Sequence, residues 1–246
     1  MKQIPYQFDN INLEIVPQEI WSNPMNVFHG TTTYHSNSIE KNGFKSNWAP
    51  YNVEHVKILV ETLKSTDFEK YDLKKGFLDW TTAYGIEHYL DALEKKEFRI
   101  SFTPLSLASA QYTLSKTKGG QAFMAIREAK EIIDLALTKN ESLKDKIPNE
   151  VVELFNEIKE IDNSNGIVYI VQLPKDLNGI ECSINNVIHS NVEISKGQII
   201  GKVLIPNLLK EFETDKDLID NKIKSKLHTN GGLAIQILRN EEKEDN

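Results

Sequence analysis

The residues able to do chemistry fall in four stretches of the chain. The first is VFHGTT, Val27 to Thr32, followed by Ile39 and by the pair Gly43 and Phe44. A histidine closing a strand, with a glycine after it, offers an imidazole and a backbone whose N–H and C=O a ligand can approach without meeting a Cβ. Such a corner can read a flat carboxamide and a sugar hydroxyl; the structural alternative is a core histidine ahead of a glycine turn. The second stretch is ISFTPLSLASAQYTL, Ile100 to Leu114, with the small hydroxyl of Ser101 on an expected strand and Tyr112 on the helix after it. A phenol ring there can cover one face of a bound heteroaromatic, or simply fill the core.

The third stretch, GGQAFMAIR, Gly119 to Arg127, reads as a structural interior strand over Ala122 to Ile126, entered through two glycines. In the fourth, SKGQIIGKVLIPNLLKEF, Ser195 to Phe212, a strand is opened by Gln198 and ended by Pro206. A side-chain amide at a strand entrance can donate to and accept from a ribose hydroxyl, or it is merely a polar strand end. No metal is expected: His29 and His35 sit on different elements with no cysteine nearby, a poor arrangement for zinc. The chain contains neither GxGxxG nor GxxxxGK[ST], which argues against a Rossmann-type hydride carrier and a P-loop. It also lacks the GxSxG elbow of α/β hydrolases.

Around these stretches the apolar pattern alternates helix and strand. Val27 and Phe28 lead into His29 as a short strand, and Ser36 to Asn42 reads as a helix stopped by Gly43. Helices are expected over Val53 to Lys64 with Asn52 as N-cap, Thr82 to Lys96, Leu105 to Leu114, Glu128 to Thr138 and Asn149 to Ile161. Strands are expected over Phe98 to Thr103, Ile167 to Leu173, Gln198 to Ile205 and Leu233 to Leu238. Trp48 and Trp80 are read as a small core, and NEEKEDN from Asn240 as a solvated tail. The sum is an α+β arrangement.

The 246 residues are 39% apolar and 26% charged, with a net charge of −7, proportions that exclude disorder, collagen and coiled coil. No apolar run approaches the roughly 20 residues that span a bilayer, and the N-terminus has no apolar h-region, so no membrane association and no Sec-type signal are expected. A single cysteine, Cys182, precludes an internal disulfide and points to assembly in a reducing cytoplasm, or to signal-less delivery into a target cell's cytosol. The acidic balance disfavours non-specific binding of phosphate backbones.

Taken together, the four stretches resemble the ADP-ribosyltransferase fold shared by diphtheria-type toxins and the poly(ADP-ribose) polymerases. In that family a strand-terminal His-Gly-Thr/Ser is followed by Ile and Gly-Leu/Phe, then by I-Y-F-x-x-x-x-x-x-S-A-x-Y, and finally by a late strand opening with Glu. Phe102, Ser109, Ala110 and Tyr112 match in register. The resemblance implies a split, mixed β-core in one domain spanning residues 1–246, with helical insertions at about 47–97 and 128–165 that govern target choice. It implies NAD+ as a consumed substrate, with His29, Gly30, Thr31, Ser101, Phe102 and Tyr112 binding it and no metal. His29 and Gln198 would be the catalytic pair. Ser101 stands where the family has its first tyrosine, and Gln198 where it has the catalytic glutamate, with Glu193 upstream as a substitute.

The activity so implied is mono-ADP-ribosylation of a macromolecule, protein or nucleic acid, by a bacterial toxin or effector, with an inhibitory antitoxin or immunity protein covering the cleft. Two other readings share the motifs. An RNA 2′-phosphotransferase is echoed by HGT, a Ser-containing motif and GG, although Arg99 and Arg127 are a thin version of its basic residues. A catalytically inactive binding module is favoured by Gln198 and Ser101.

Overall fold

The structure is a computed structural model that describes residues 1–45, 51–71, 99–113, 118–119, 121–182, 187–206 and 221–227. Along the chain these form β1 (Lys2–Gln3), α1 (Gln18–Trp21), β2 (Asn26–Thr32), α2 (Ser36–Asn42), α3 (Val53–Lys64), α4 (Thr66–Glu69), β3 (Ile100–Phe102) and α5 (Ser106–Gln111). There follow α6 (Gln121–Lys139), α7 (Asn149–Asn163), β4 (Gly166–Gln172), β5 (Ile180–Cys182), β6 (Ile188–Ser190), β7 (Ile199–Ile205) and a last helix, α8, over 221–227. The expected elements at Thr82 to Lys96 and Leu233 to Leu238, both tryptophans at 48 and 80, and the tail from Asn240 lie outside the described residues. No described helix is long and apolar enough to cross a membrane.

The chain divides into two compact units, one of residues 1–46, 99–115 and 165–246, the other of residues 47–98 and 116–164. In the second unit, α3 starts where Asn52 accepts from the backbone N–H groups of Glu54 and His55, the expected N-cap. It buries Val56, Leu59, Val60 and Leu63, a helical stripe, in one core with Val151, Leu154, Ile158 and Ile161 of α7. The strand expected over Ala122 to Ile126 is instead the opening of α6. Phe123 and Ile126 continue without a break into Ala129, Ile132, Ile133 and Ala136, a spacing of three and four that a strand cannot keep on one face. The second span of this unit begins at 116. Arg127 is held in this helix wall, its Nη2 donating to Asp162 Oδ1 at 2.6 Å and to the Lys118 carbonyl at 2.7 Å.

The first unit combines helices with mixed strands. One sheet has the order β1-β7-β4-β2, with β1 parallel to β7 and the other pairs antiparallel; a second, antiparallel sheet has the order β3-β6-β5. The apolar run IVYIV of β4 is buried throughout, because the larger sheet is covered on both faces. On one face Val27, Ile167, Tyr169 and Val171 meet Ile39, Phe44 and Phe102. On the other Phe28, Val168, Ile170 and Val203 meet Ile15, Leu105 and Leu107. The helix α2 is tied to this sheet by Glu40, which accepts from Tyr169 Oη at 3.2 Å and Lys202 Nζ at 2.6 Å. It stops at Gly43, whose φ of 77° and ψ of −165° suit glycine alone. There an added Cβ would lie 2.2 Å from the Ile194 carbonyl oxygen.

Candidate functional site

The strand β2 does not end at His29 but runs through it, paired with β4 along its length, so that His29 faces Tyr169 and Gly30 faces Val168. Just beyond this edge the smaller sheet arrives. Phe28 and Thr103 exchange both backbone hydrogen bonds, each at 2.9 Å, which locks the exit of β3 against β2. Polar groups of a strand alternate sides, so Gly30 turns its N–H and C=O the same way as Phe28, away from β4. The chain past Thr103 has by then turned into α5, and among the described residues no backbone partner meets Gly30 on that side.

Over the face of β2 at this point lies α5. A Cβ at Gly30 would lie 1.8 Å from the Ser109 carbonyl oxygen and 3.3 Å from Thr113 Cγ2, so backbone packs directly on backbone. Under it Ser109 Oγ and Thr103 Oγ1 are 2.6 Å apart. Since the Thr103 hydroxyl donates to Leu105 O at 2.7 Å, Ser109 is the donor of that pair, and its hydroxyl points inward.

His29 is held by its ring. Nδ1 lies 2.8 Å from the Ser101 carbonyl, which can only accept, so Nδ1 carries the proton and Nε2 is left as an acceptor. The imidazole packs edge-on against Phe44 at 4.7 Å and Phe102 at 5.8 Å between centroids. Burial lowers its pKa, against the raising effect of the Ser101 carbonyl, and keeps the ring neutral. His35, buried on the turn after β2, is lowered to about 4 by burial and by the neighbouring His29.

The structure thus joins His29, Ser101 and Phe102 directly, and Gly30 to the helix that carries Ser109 and Tyr112. Thr31 is buried opposite Ile167 on the His29 face of β2. Tyr112 ends α5 as its C-cap and is 38% exposed. Gln198 does not open β7 as a free side chain; it closes a short 3-10 turn over Lys196–Gln198, and its Oε1 accepts from Ser195 N at 2.9 Å and Ser195 Oγ at 3.0 Å. The S-x-x-Q spacing is that of a capping box, which is why the strand begins at Ile199. Glu193 is paired with Lys45. Among the described residues no hydrogen bond or ring contact joins Tyr112 or Gln198 to His29.

Sequence reasoning passed over His189. It lies on β6 with its Nδ1 3.1 Å from Ser101 Oγ. The signal was the alternation Ile188-His189-Ser190, too short to stand out as a strand. Comparisons of the chain with protein-family models, curated proteins and solved structures return no match.

Proposed function

We propose that this protein is a mono-ADP-ribosyltransferase that cleaves NAD+ at the bond between nicotinamide and ribose and transfers ADP-ribose to a macromolecule. The observation that carries the reading is the open backbone edge at Gly30 beside a neutral, fixed imidazole. A carboxamide presents one carbonyl acceptor and N–H donors in a plane, which matches an adjacent N–H and C=O on a strand edge. His29 Nε2, an acceptor, suits a ribose hydroxyl. The motif residues that carry this corner come from stretches 72 positions apart in the chain, His29 and Ser101.

The chemistry asks little else of the protein. Nicotinamide leaves as a neutral ring, so the site has to hold that ring, accommodate positive charge on the ribose and expose C1′ to a nucleophile. Tyr112, half open at the end of α5, is the ring available to stack on the nicotinamide. Gln198 has no charge to stabilise an oxocarbenium-like state, so its amide acts by hydrogen bonding alone. By analogy with stand-alone transferases the acceptor is reached as a toxin or effector, and an antitoxin or immunity protein would act by covering the Gly30 edge.

The test is release of nicotinamide from NAD+ by the purified protein, with labelled NAD+ in lysate to show whether protease or nuclease frees the label. His29→Leu keeps apolar volume against Phe44 and Phe102 while removing both ring nitrogens. It is expected to reduce release by roughly a hundredfold or more with little loss of thermal stability. Binding of NAD+ with no cleavage by the natural sequence would favour the inactive binding module; an unchanged rate in His29→Leu would remove the site.

A further inference from the structure

Ser101 stands opposite His189, and His189 opposite Glu181, across the three strands of the smaller sheet. Side chains alternate along a strand, so Ile100, Phe102, Ile180 and Ile188 turn into the core while Ser101, His189 and Glu181 form a row on the other face. Ser101 occupies two positions at once in this arrangement. Its carbonyl holds His29 Nδ1 at 2.8 Å, and its hydroxyl meets His189 Nδ1 at 3.1 Å.

We infer that Ser101 and His189 work as one unit that reads a hydrogen-bond donor on the bound dinucleotide, an amide N–H or a sugar O–H. The inference deepens the proposed function and rests on it. A hydroxyl has one proton to give. While His189 is neutral with Nδ1 bare, Ser101 donates to it and its oxygen faces the ligand as an acceptor. Once His189 is protonated, Nδ1–H donates to Ser101 instead, the serine proton turns outward, and an acceptor has become a donor. The groups facing His189 are Ser101 on β3, Arg99 just before it and Glu181 on β5, the last two paired at 3.2 Å. Burial and then Arg99 hold the imidazole below its ordinary pKa while Glu181 pulls the other way, so the ring is neutral at neutral pH, and with its proton on Nε2 the serine is in its acceptor state. Where the resemblance places an aromatic ring, this chain has a polar reader whose sign depends on a partner one strand away.

The experiment measures KM and kcat for nicotinamide release from NAD+ at pH 8 and pH 5.5. Ser101→Ala and His189→Leu are each expected to raise KM at pH 8 by about three- to tenfold, the range of one lost hydrogen bond, with kcat changed less than about twofold. The double variant is expected to be no worse than either single one. His189→Asn, which puts an amide oxygen where Nδ1 stood, is expected to recover most of the loss seen with leucine, and to abolish the rise in KM expected of the natural sequence at pH 5.5. Thermal melting confirms that each variant folds. The nicotinic acid analogue of the dinucleotide separates the two donors: an effect of Ser101→Ala that vanishes with it assigns the amide, and one that persists assigns the sugar, either supporting the unit. Turnover with KM unchanged in Ser101→Ala, or additive losses in the double variant, overturns the inference alone. No cleavage by the natural sequence overturns the transferase reading and this inference with it.

Discussion

An imidazole that gives its Nδ1 proton to a backbone carbonyl has its orientation and its tautomer settled together, and that is the state of His29. The sequence reads this residue as a histidine closing a strand; in the fold it lies in mid-strand with two aromatic rings against it. Gln198 differs more. A glutamine three residues after a serine is a capping signature, visible in SKGQ itself, and the cap uses the oxygen that the resemblance would turn to the ribose. Gln198→Glu tests both roles, because a carboxylate accepts from Ser195 N and Oγ equally well. The variant is expected to fold with unchanged thermal stability and to cleave NAD+ at an equal or higher rate; a collapse of activity would show that the amide N–H groups are used.

At the scale of elements, the site depends on how closely α5 lies on β2. Gly30→Ala places a methyl 1.8 Å from the Ser109 oxygen, a contact with backbone on both sides and no flexible side chain to yield. Overpacking of this kind costs about 1–3 kcal/mol or more, and the loss should appear as a lower urea midpoint, with nicotinamide release lost as the helix is pushed from the strand. Elements with a local signature were legible in advance: α2 with its Gly43 stop matched residue for residue, and α3 with Asn52 as its cap likewise. The beginning of α6 was not, since Ala122 to Ile126 taken alone is a compact apolar run. Only its continuation into Ala129 and Ile133 shows the helical period.

For the whole molecule, two buried groups set opposite dependences of stability on pH. Glu14, pushed up to about 7 mainly by burial despite two hydrogen bonds from Ser106, keeps in the fold a proton that the unfolded chain releases from 4.5 upward. Its contribution is complete below 4.5 and lost as pH rises through 7, on the order of 3 kcal/mol across the window. Lys226 and Asp9 also face it, with opposite effects. His35, at about 4 against an ordinary 6.5, contributes above 6.5 and loses stability as pH falls towards 4, and the lowered His29 acts in the same direction. Between 4.5 and 6.5 the two dependences oppose each other. Glu14→Gln removes the opposing one, so the variant's urea midpoint is expected to climb more steeply from pH 5 to pH 7 than that of the natural sequence. A level profile in the variant would show that the histidines do not titrate as placed.

Periodicity and capping are properties of neighbouring residues, and they sufficed to determine most helices, the β4 and β7 runs, and the mixture of α and β. Distance in the chain is a different matter. That the Ser101 carbonyl would hold the ring of His29, that Gly30 would be required by Ser109, and that His189 would come to stand beside Ser101 depends on the pairing of β2 with β4, β3 with β6, and the bridge from Phe28 to Thr103. A strand carries the same alternation whichever neighbour it takes, so register and partner are decided only when the two sheets bury their apolar faces together. Tertiary packing therefore chose which of the chain's polar residues meet.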